Sequence, residues 1–353
     1  MTERDWALVV GIAKYPTFGA TSADPNDLRG PINDAVAVAD VLSNRLGVQN
    51  VTLLTSNKNN GKDWAEPPRP VVDDIDRWFT KIIQRSDANM EAGKGPQVGR
   101  RLYVYLSGHG LAPEKSKRAL VSSDALAKTY VKHFLATTWH DRLVNSRFFS
   151  EYVLWMDCCT QARVTLIPSD PPFELKPAIV PQPPQVVACA AKFGELAVEL
   201  PLGQNGEFHG AFTFELVRGL RGAAANPTTG GIRTSDLAGY LYQAVPQHID
   251  KLPNRTGISR EPEFIEDDEI EFVPPQPSAA AKARTIKFTG KNGPIPADGT
   301  LVQVLDHMRR PEGAPVAVAG GKLVVALSPG FYKLEWTGGK RLIEVADDGA
   351  IDA

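Results

Sequence analysis

Between Trp6 and Ala191 the chain alternates short apolar runs with segments of helical spacing, and this alternation constrains the fold more than any other feature. "WALVVGIAKY" (Trp6–Tyr15) is a continuous apolar run, as a strand covered on both faces requires. "NDAVAVADVLSNRL" (Asn33–Leu46) follows, with Ala35, Val38, Ala39 and Leu42 at helical spacing and Asn33 or Asp34 as the expected cap. "VTLLTS" (Val51–Ser56) is a second strand. "PVVDDIDRWFTKIIQ" (Pro70–Gln84) is a helix with Val71, Ile75, Trp78, Phe79 and Ile82 on one face. "RLYVYLS" (Arg101–Ser107), "YVLWMD" (Tyr152–Asp157) and "PQVVACAA" (Pro184–Ala191) are three more strands, with a helical stretch near Asn145–Ser150. Helices over Gly210–Gly222 and Thr234–Val245 complete the pattern. Strands alternating with helices imply crossover connections and an α/β fold with a mostly parallel sheet flanked by helices on both faces.

The pattern changes after "VPPQPSAAAKA" (Val273–Ala283), a Pro- and Ala-rich stretch that reads as a linker. Beyond it come short alternating runs broken by Gly and Pro turns, the signature of a small antiparallel β-sandwich, Ig-like or prealbumin-like, of about 70 residues. The expected organisation is a large α/β domain over 1–273, a linker over 274–284 and an accessory β domain over 285–353. Two further segments read as loops: the Pro-rich Leu166–Gln185 and the basic "PEKSKRA" (Pro113–Ala119).

The net charge of −2 gives no basic field, so nucleic acid is not an expected partner. No stretch is long enough to span a bilayer and the N-terminus has no export signal, so a cytoplasmic protein without membrane attachment is expected. Three cysteines, two adjacent, do not make a disulfide framework; in a reducing compartment they are free thiols.

In open parallel sheets chemistry gathers at the carboxyl ends of the strands. His109 stands just past one such end, in "YVYLSGHGLA", and Asp157-Cys158-Cys159 stands at the end of the next. A cysteine nucleophile needs a base to take its proton and N–H donors to hold the developing oxyanion. His109 can be that base and Cys159 the nucleophile, with the N–H groups of Gly110 and Cys159 as the oxyanion hole. Gly110, lacking a side chain, can let the backbone approach a substrate closely. Zinc is disfavoured: adjacent cysteines are awkward joint ligands, and neither C-x-x-C nor H-E-x-x-H occurs. His133, His140, His209, His248 and His307 have no partner motif and read as surface or packing residues. Glu195 and Glu199 read as surface glutamates, and the acidic run Glu266–Glu269 as a solvated turn.

His109 precedes Cys159 by 50 residues, a caspase-type separation. "YLSGHG" and "WMDCCTQ" resemble the histidine and cysteine motifs of the caspase and metacaspase superfamily (peptidase family C14), and "LRGPINDAVAVADVL" and "EFHGAFTFELVRGLRG" resemble two further segments of those proteases. The likeness covers residues 5–272 and departs after the cysteine, where Thr160-Gln161-Ala162 replaces the usual His-Ser-Gly. It implies a bacterial-type cysteine endopeptidase acting on protein or peptide substrates without an organic cofactor. It assigns Cys159 rather than Cys158 as nucleophile and places Asp34 and Asp157 in the S1 pocket, which favours Arg, then Lys, at P1. It also implies a cleavable segment at Leu166–Gln185, so self-processing after a Lys or Arg there or in Pro113–Ala119 is expected. Calcium activation is common in metacaspases, but Asp124, Asp170 and Glu266–Glu269 do not match their acidic cluster. Two alternatives stand: Arg29, close to Asp34 in sequence, can serve an Asp-P1 protease, and the domain can be a catalytically silent scaffold. The β domain can carry a partner protein.

Overall fold

The computed structural model describes residues 4–19, 26–56, 58–59, 63–64, 68–126, 131–162, 181–275, 282–288, 294–306, 309–328, 330–345 and 351–352. The chain packs as two compact units, Met1–Glu215 with Val245–Ile270, and Leu216–Ala244 with Glu271–Ala353. The first holds a six-stranded sheet built from β1 (Trp6–Gly11), β2 (Asn50–Thr55), β3 (Gly99–Gly108), β4 (Phe149–Cys158), β5 (Gln185–Cys189) and β6 (Glu263–Asp267), in the order β6-β5-β4-β3-β1-β2. All neighbours are parallel except β6, which runs antiparallel along the edge of β5. β1 lies between β2 and β3, so the strand order reverses there, and such reversal points open a crevice at the carboxyl ends.

The apolar runs become strands because both faces of the sheet are covered. Alternate residues of β1, β3 and β4 (Leu8, Val10, Val104, Leu106, Leu154, Met156) join one core with Trp78 and Phe79 of α2 (Val72–Glu91) and Trp139 of α3 (Ala136–Ser146). On the opposite face, α1 (Pro31–Asp40) packs against β1, and Thr213 of α4 (Ala211–Arg218) hydrogen-bonds Tyr105 of β3. The chain has the α/β architecture that the alternation of strands and helices implies, a mainly parallel sheet flanked by helices, with additional sheets toward the C-terminus.

Several expected boundaries shift. α2 runs on to Glu91, seven residues past the last predicted position. α3 lies upstream of the predicted stretch, and Phe149 and Ser150 belong to β4, whose pairing with β3 extends down to Gly99 opposite Phe149. Neither Asn33 nor Asp34 caps α1, which starts at Pro31 after Gly30. The basic stretch Pro113–Ala119 is a β-hairpin rather than a loop: Gly110–Glu114 pairs with Lys117–Val121, and Arg118 is buried, its guanidinium 2.7 Å from Glu263 of β6. That pairing with a carboxylate on a distant strand is what allows a charged residue to sit inside. The acidic run Glu266–Glu269 begins in β6, not in a turn. The segment 163–180, which holds most of the predicted Pro-rich loop, lies outside the described residues.

The second unit contains α5 residues up to Ala244 (α5, Thr234–Ile249) and, among the described residues, two larger antiparallel sheets beside a short two-stranded one. β7 (Lys282–Lys287) pairs with β9 (Lys322–Leu327), while β8 (Leu301–Asp306), β10 (Gly330–Trp336) and β11 (Gly339–Val345) are neighbours in the other sheet. Ile286, Val304, Leu323, Val325, Leu334 and Ile343 from both sheets share one apolar core. The alternating burial of β9, outward Lys322, Val324 and Ala326 against inward Leu323, Val325 and Leu327, is that of a strand with one solvated face. The same unit includes Ile232–Arg233 paired with Glu271–Val273, the Tyr240 ring 4.9 Å from that of Phe331, and an Arg218–Glu344 ion pair. Of the predicted linker, residues 276–281 lie outside the described ones. Among the described residues, no helix is long and apolar enough to cross a membrane.

Candidate active site

Two strand ends set the geometry. β3 and β4 stay in parallel register to their last residues, Gly108 opposite Cys158, so His109 and Cys159 leave the sheet side by side. The two glycines around His109 follow from what surrounds them. Gly108 has φ 153°, and a Cβ there would lie 2.5 Å from the Tyr15 hydroxyl. A Cβ on Gly110 would run into the Cys159 carbonyl oxygen and lie 2.5 Å from Cys158 Cβ. The space on the side of Gly110 where a Cβ would stand is filled by the Cys158–Cys159 segment.

His109 is held on three sides. Its ring lies 4.7 Å from that of Tyr15 and 5.5 Å from that of Phe18, and its backbone N–H donates to Tyr15 Oη at 2.9 Å. Nε2 is 2.6 Å from the Asn26 carbonyl oxygen. A carbonyl only accepts, so Nε2 carries the proton and Nδ1 is left as the basic nitrogen. Burial lowers the pKa of the imidazole, which keeps it neutral and able to accept. Tyr15 and Asn26 were not legible as site residues; Tyr15 reads as the last residue of an apolar run, and the Asn26 contact is through the backbone, which carries no side-chain signal.

The Cys159 thiol donates to the Ala197 carbonyl at 3.7 Å, and burial raises its pKa. The two shifts act together: they favour a protonated thiol beside a neutral imidazole over the ion pair. Among the described residues, neither group is hydrogen-bonded to the other in this conformation. Cys158 is 2% exposed, faces the α2–α3 core and donates to the Leu106 carbonyl at 3.6 Å; burial pushes its thiol well up.

Strand alternation turns Asp157 to the face opposite Cys158, toward α1 and α4. There it meets Asp34, and the two carboxyl groups converge on Gly210. Asp34 is 1% exposed; its oxygens accept from the Gly210 N–H at 3.0 and 3.2 Å, from Ser107 Oγ at 3.4 Å and from His209 Nδ1 at 2.9 Å. Asp157 is 6% exposed and its Oδ2 accepts from the Thr213 N–H at 3.0 Å and Oγ1 at 2.6 Å. The Gly210 α-carbon is packed so tightly on the Asp157 carboxyl that no Cβ fits. Burial raises the pKa of Asp34. Burial first, and the Asp34 charge second, push Asp157 up to about 7.

Three sequence readings need correction here. Glu199 is not a free surface glutamate: its carboxylate accepts from the Gly30 N–H at 2.7 Å and the Arg29 N–H at 3.0 Å, supplying from another segment the acceptor that the start of α1 lacks. Asn33 instead donates its side-chain amide to the Phe208 carbonyl at 3.0 Å. His209 is no bystander, because its Nδ1 is a hydrogen-bonding partner of Asp34, and His248 Nε2 lies 2.6 Å from buried Glu215. His140 does pack in the core, where burial takes its pKa down to about 4. His133 bonds the Val131 carbonyl, and His307 lies outside the described residues. The Arg29 guanidinium lies over the Phe208 ring at 3.4 Å. Asp124 binds Lys132 at 3.0 Å, and among the described residues no group of three His, Cys, Asp or Glu is placed to hold a metal ion.

The chain belongs to the caspase family of peptidases: the family model of the peptidase C14 caspase domain matches residues 4–235. Among solved structures it is similar to the crystal structure of caspase-1 from Spodoptera frugiperda, with 14% sequence identity and a TM-score of 0.46, over 78% of this chain and 93% of that one. No curated protein matches.

Proposed function

We propose that the protein is a cysteine endopeptidase in which His109 and Cys159 form the catalytic dyad and which cleaves after Arg, and more slowly after Lys. The observation that carries this reading is the paired end of β3 and β4, from which a basic imidazole nitrogen and a thiol leave neighbouring strands beside a buried pair of carboxyl groups. His109 Nδ1 takes the thiol proton, and the thiolate attacks the substrate carbonyl. The Gly110 and Cys159 N–H groups receive the oxyanion. The imidazolium returns its proton to the leaving amine, freeing the C-terminal product. Water, deprotonated by His109, then breaks the thioester, releasing the acid and the thiol. Binding must first draw the thiol from the Ala197 carbonyl and offset the burial that raises its pKa.

Asp34 and Asp157 supply the negative charge that a long cationic P1 side chain needs, because an unpaired buried guanidinium is costly. Two carboxylates suit the planar, multi-donor guanidinium better than a single ammonium. An Asp at P1 would meet like charge, and the engagement of Arg29 with Phe208 and away from the carboxyl pair disfavours the Asp-P1 alternative. Self-processing is expected within Leu166–Gln185 rather than at the buried Arg118 of the hairpin. The disengaged thiol and imidazole favour one second reading, a silent scaffold. Peptide substrates with Arg, Lys or Asp at P1, assayed with and without calcium, and covalent labelling by an arginyl chloromethyl ketone decide. Turnover after Arg with label on Cys159 supports the protease; turnover after Asp alone moves the pocket to Arg29, and no turnover or label supports the scaffold.

A further inference from the structure

The carboxyl pair assigned above to a substrate cation already has an occupant from the same chain. His209 sits on the short strand Phe208–Gly210, paired antiparallel with Glu199–Pro201, and its side chain is 13% exposed. Its Nδ1 lies 2.9 Å from Asp34 Oδ1, which requires Nδ1 to carry the proton when the carboxyl is ionised. The hairpin that carries it is pinned to the start of α1 by Glu199 on the Arg29 and Gly30 N–H groups, by Arg29 over Phe208, and by Asn33 on the Phe208 carbonyl. The approach to the same hairpin places the Ala197 carbonyl on the Cys159 thiol. One segment therefore touches the nucleophile and fills the Asp34 side of the pocket.

We propose that His209 is a specificity-determining residue: an internal occupant of the P1 pocket, which an incoming arginine must displace from Asp34. This rests on the reading of Asp34 and Asp157 as that pocket. The displacement leaves Asp34 with the Gly210 and Ser107 donors, so the carboxyl oxygen vacated by the imidazole is the one that must be paired again. A guanidinium does so with several N–H groups in a fixed plane and can reach both carboxylates; an ammonium does so with one compact head. A neutral P1 side chain leaves Asp34 one donor short and cannot compete with the imidazole. The imidazole thus sets a threshold that selects strongly for arginine over lysine and excludes neutral residues, instead of leaving the carboxylates open to any cation.

The test uses the full chain with His209→Ala and His209→Gln, each also combined with Cys159→Ala for binding. Calorimetric titration with benzamidine, a planar amidinium, reads the pocket without turnover. His209→Ala is expected to tighten benzamidine at least tenfold and His209→Gln, whose amide can still donate to Asp34, to fall between it and the wild-type residue. With peptides, His209→Ala is expected to lower KM for Arg at P1 by tenfold or more, with the gain carried by KM and not kcat, and to narrow the preference for Arg over Lys and norleucine. A residue that only holds the hairpin would instead lose kcat and weaken benzamidine. Benzamidine affinity that is equal or weaker in His209→Ala, including no binding to either protein, overturns the inference whatever the peptidase assay gives. Benzamidine tightened without Arg-P1 turnover upholds the internal occupant and overturns the peptidase reading.

Discussion

Replacing Asp157 by Asn should stabilise the protein at alkaline pH while disabling it. Asp157 is almost fully buried, and burial together with the nearby Asp34 charge raises its pKa from an ordinary carboxylate value to about 7. A carboxyl group whose pKa is raised on folding binds its proton more tightly in the native state. Its contribution is therefore neutral below about pH 4, where both states are protonated, and becomes increasingly unfavourable up to pH 7. The displacement of about three units corresponds to roughly 4 kcal/mol of lost stability above pH 7, about 2.3 kcal/mol of which accrues between pH 5 and pH 7. Asn keeps the shape and a carbonyl oxygen for the Thr213 N–H and hydroxyl, and it has no charge to bury. The two neutral hydrogen bonds are weaker than those to a carboxylate, a loss of about 1 kcal/mol each. Asp157→Asn should then be near neutral or destabilised at pH 5 and gain about 2–3 kcal/mol on the wild type by pH 8. Urea unfolding of both proteins at pH 5, 6, 7 and 8 measures this, and the same samples should lose at least a hundredfold in kcat/KM on an Arg-P1 peptide. A difference in unfolding free energy that stays constant across the four pH values would refute the reasoning, because it would mean that Asp157 is charged, or uncharged, in both states throughout.

Cys159→Ala should remove peptidase activity by several powers of ten, as should His109→Ala, since nucleophile and base act as a unit, whereas Cys158→Ala should keep most of the activity. A dead Cys158→Ala beside an active Cys159→Ala would reverse the register. Gly110→Ala should cost about 3 kcal/mol in urea unfolding and most of the activity, because a Cβ there displaces the Cys158–Cys159 backbone, and overpacking of this kind is destabilising by about that amount; a variant as stable and active as the wild type would deny the close approach. Tyr15→Phe leaves the His109 N–H without its acceptor, at a cost of about 1–3 kcal/mol, and should lower kcat more than it raises KM; unchanged kcat would mean that the hydroxyl does not position the histidine.

How much of this was legible in the sequence depends on the range of each interaction. β1, β3 and β4 could be read because a strand covered on both faces is apolar at every position, and His109 and Cys159 because they stand directly after such runs. The hairpin at Gly110–Val121 could not, since Pro113 and the cluster of Lys115, Lys117 and Arg118 read as an exposed loop. Only Glu263, far along the chain, makes Arg118 a buried residue. β6 was hidden for a related reason: an edge strand with one neighbour keeps Glu266 and Asp267 in water and looks like an acidic turn. The start of α1 shows the same limit from the other side, because its acceptor is Glu199 and no local pattern reveals a cap that arrives from a distant segment.

The pocket carries this limit to its consequence. Asp34 and Asp157 read from motif alone as two open negative charges waiting for a substrate cation. Folded, each arrives with donors of its own, Asp34 with His209, Gly210 and Ser107, and Asp157 with Thr213, whose hydroxyl is also shared with Tyr105 at 2.6 Å. Desolvating two neighbouring carboxyl groups without such donors would drive both toward the neutral form and leave nothing to attract a guanidinium. The donors are therefore a condition of the pocket's charge as well as competitors for it. A residue that reads as a spare histidine in "EFHG" is, once folded, hydrogen-bonded to Asp34, and on that contact the proposed occupancy of the pocket rests.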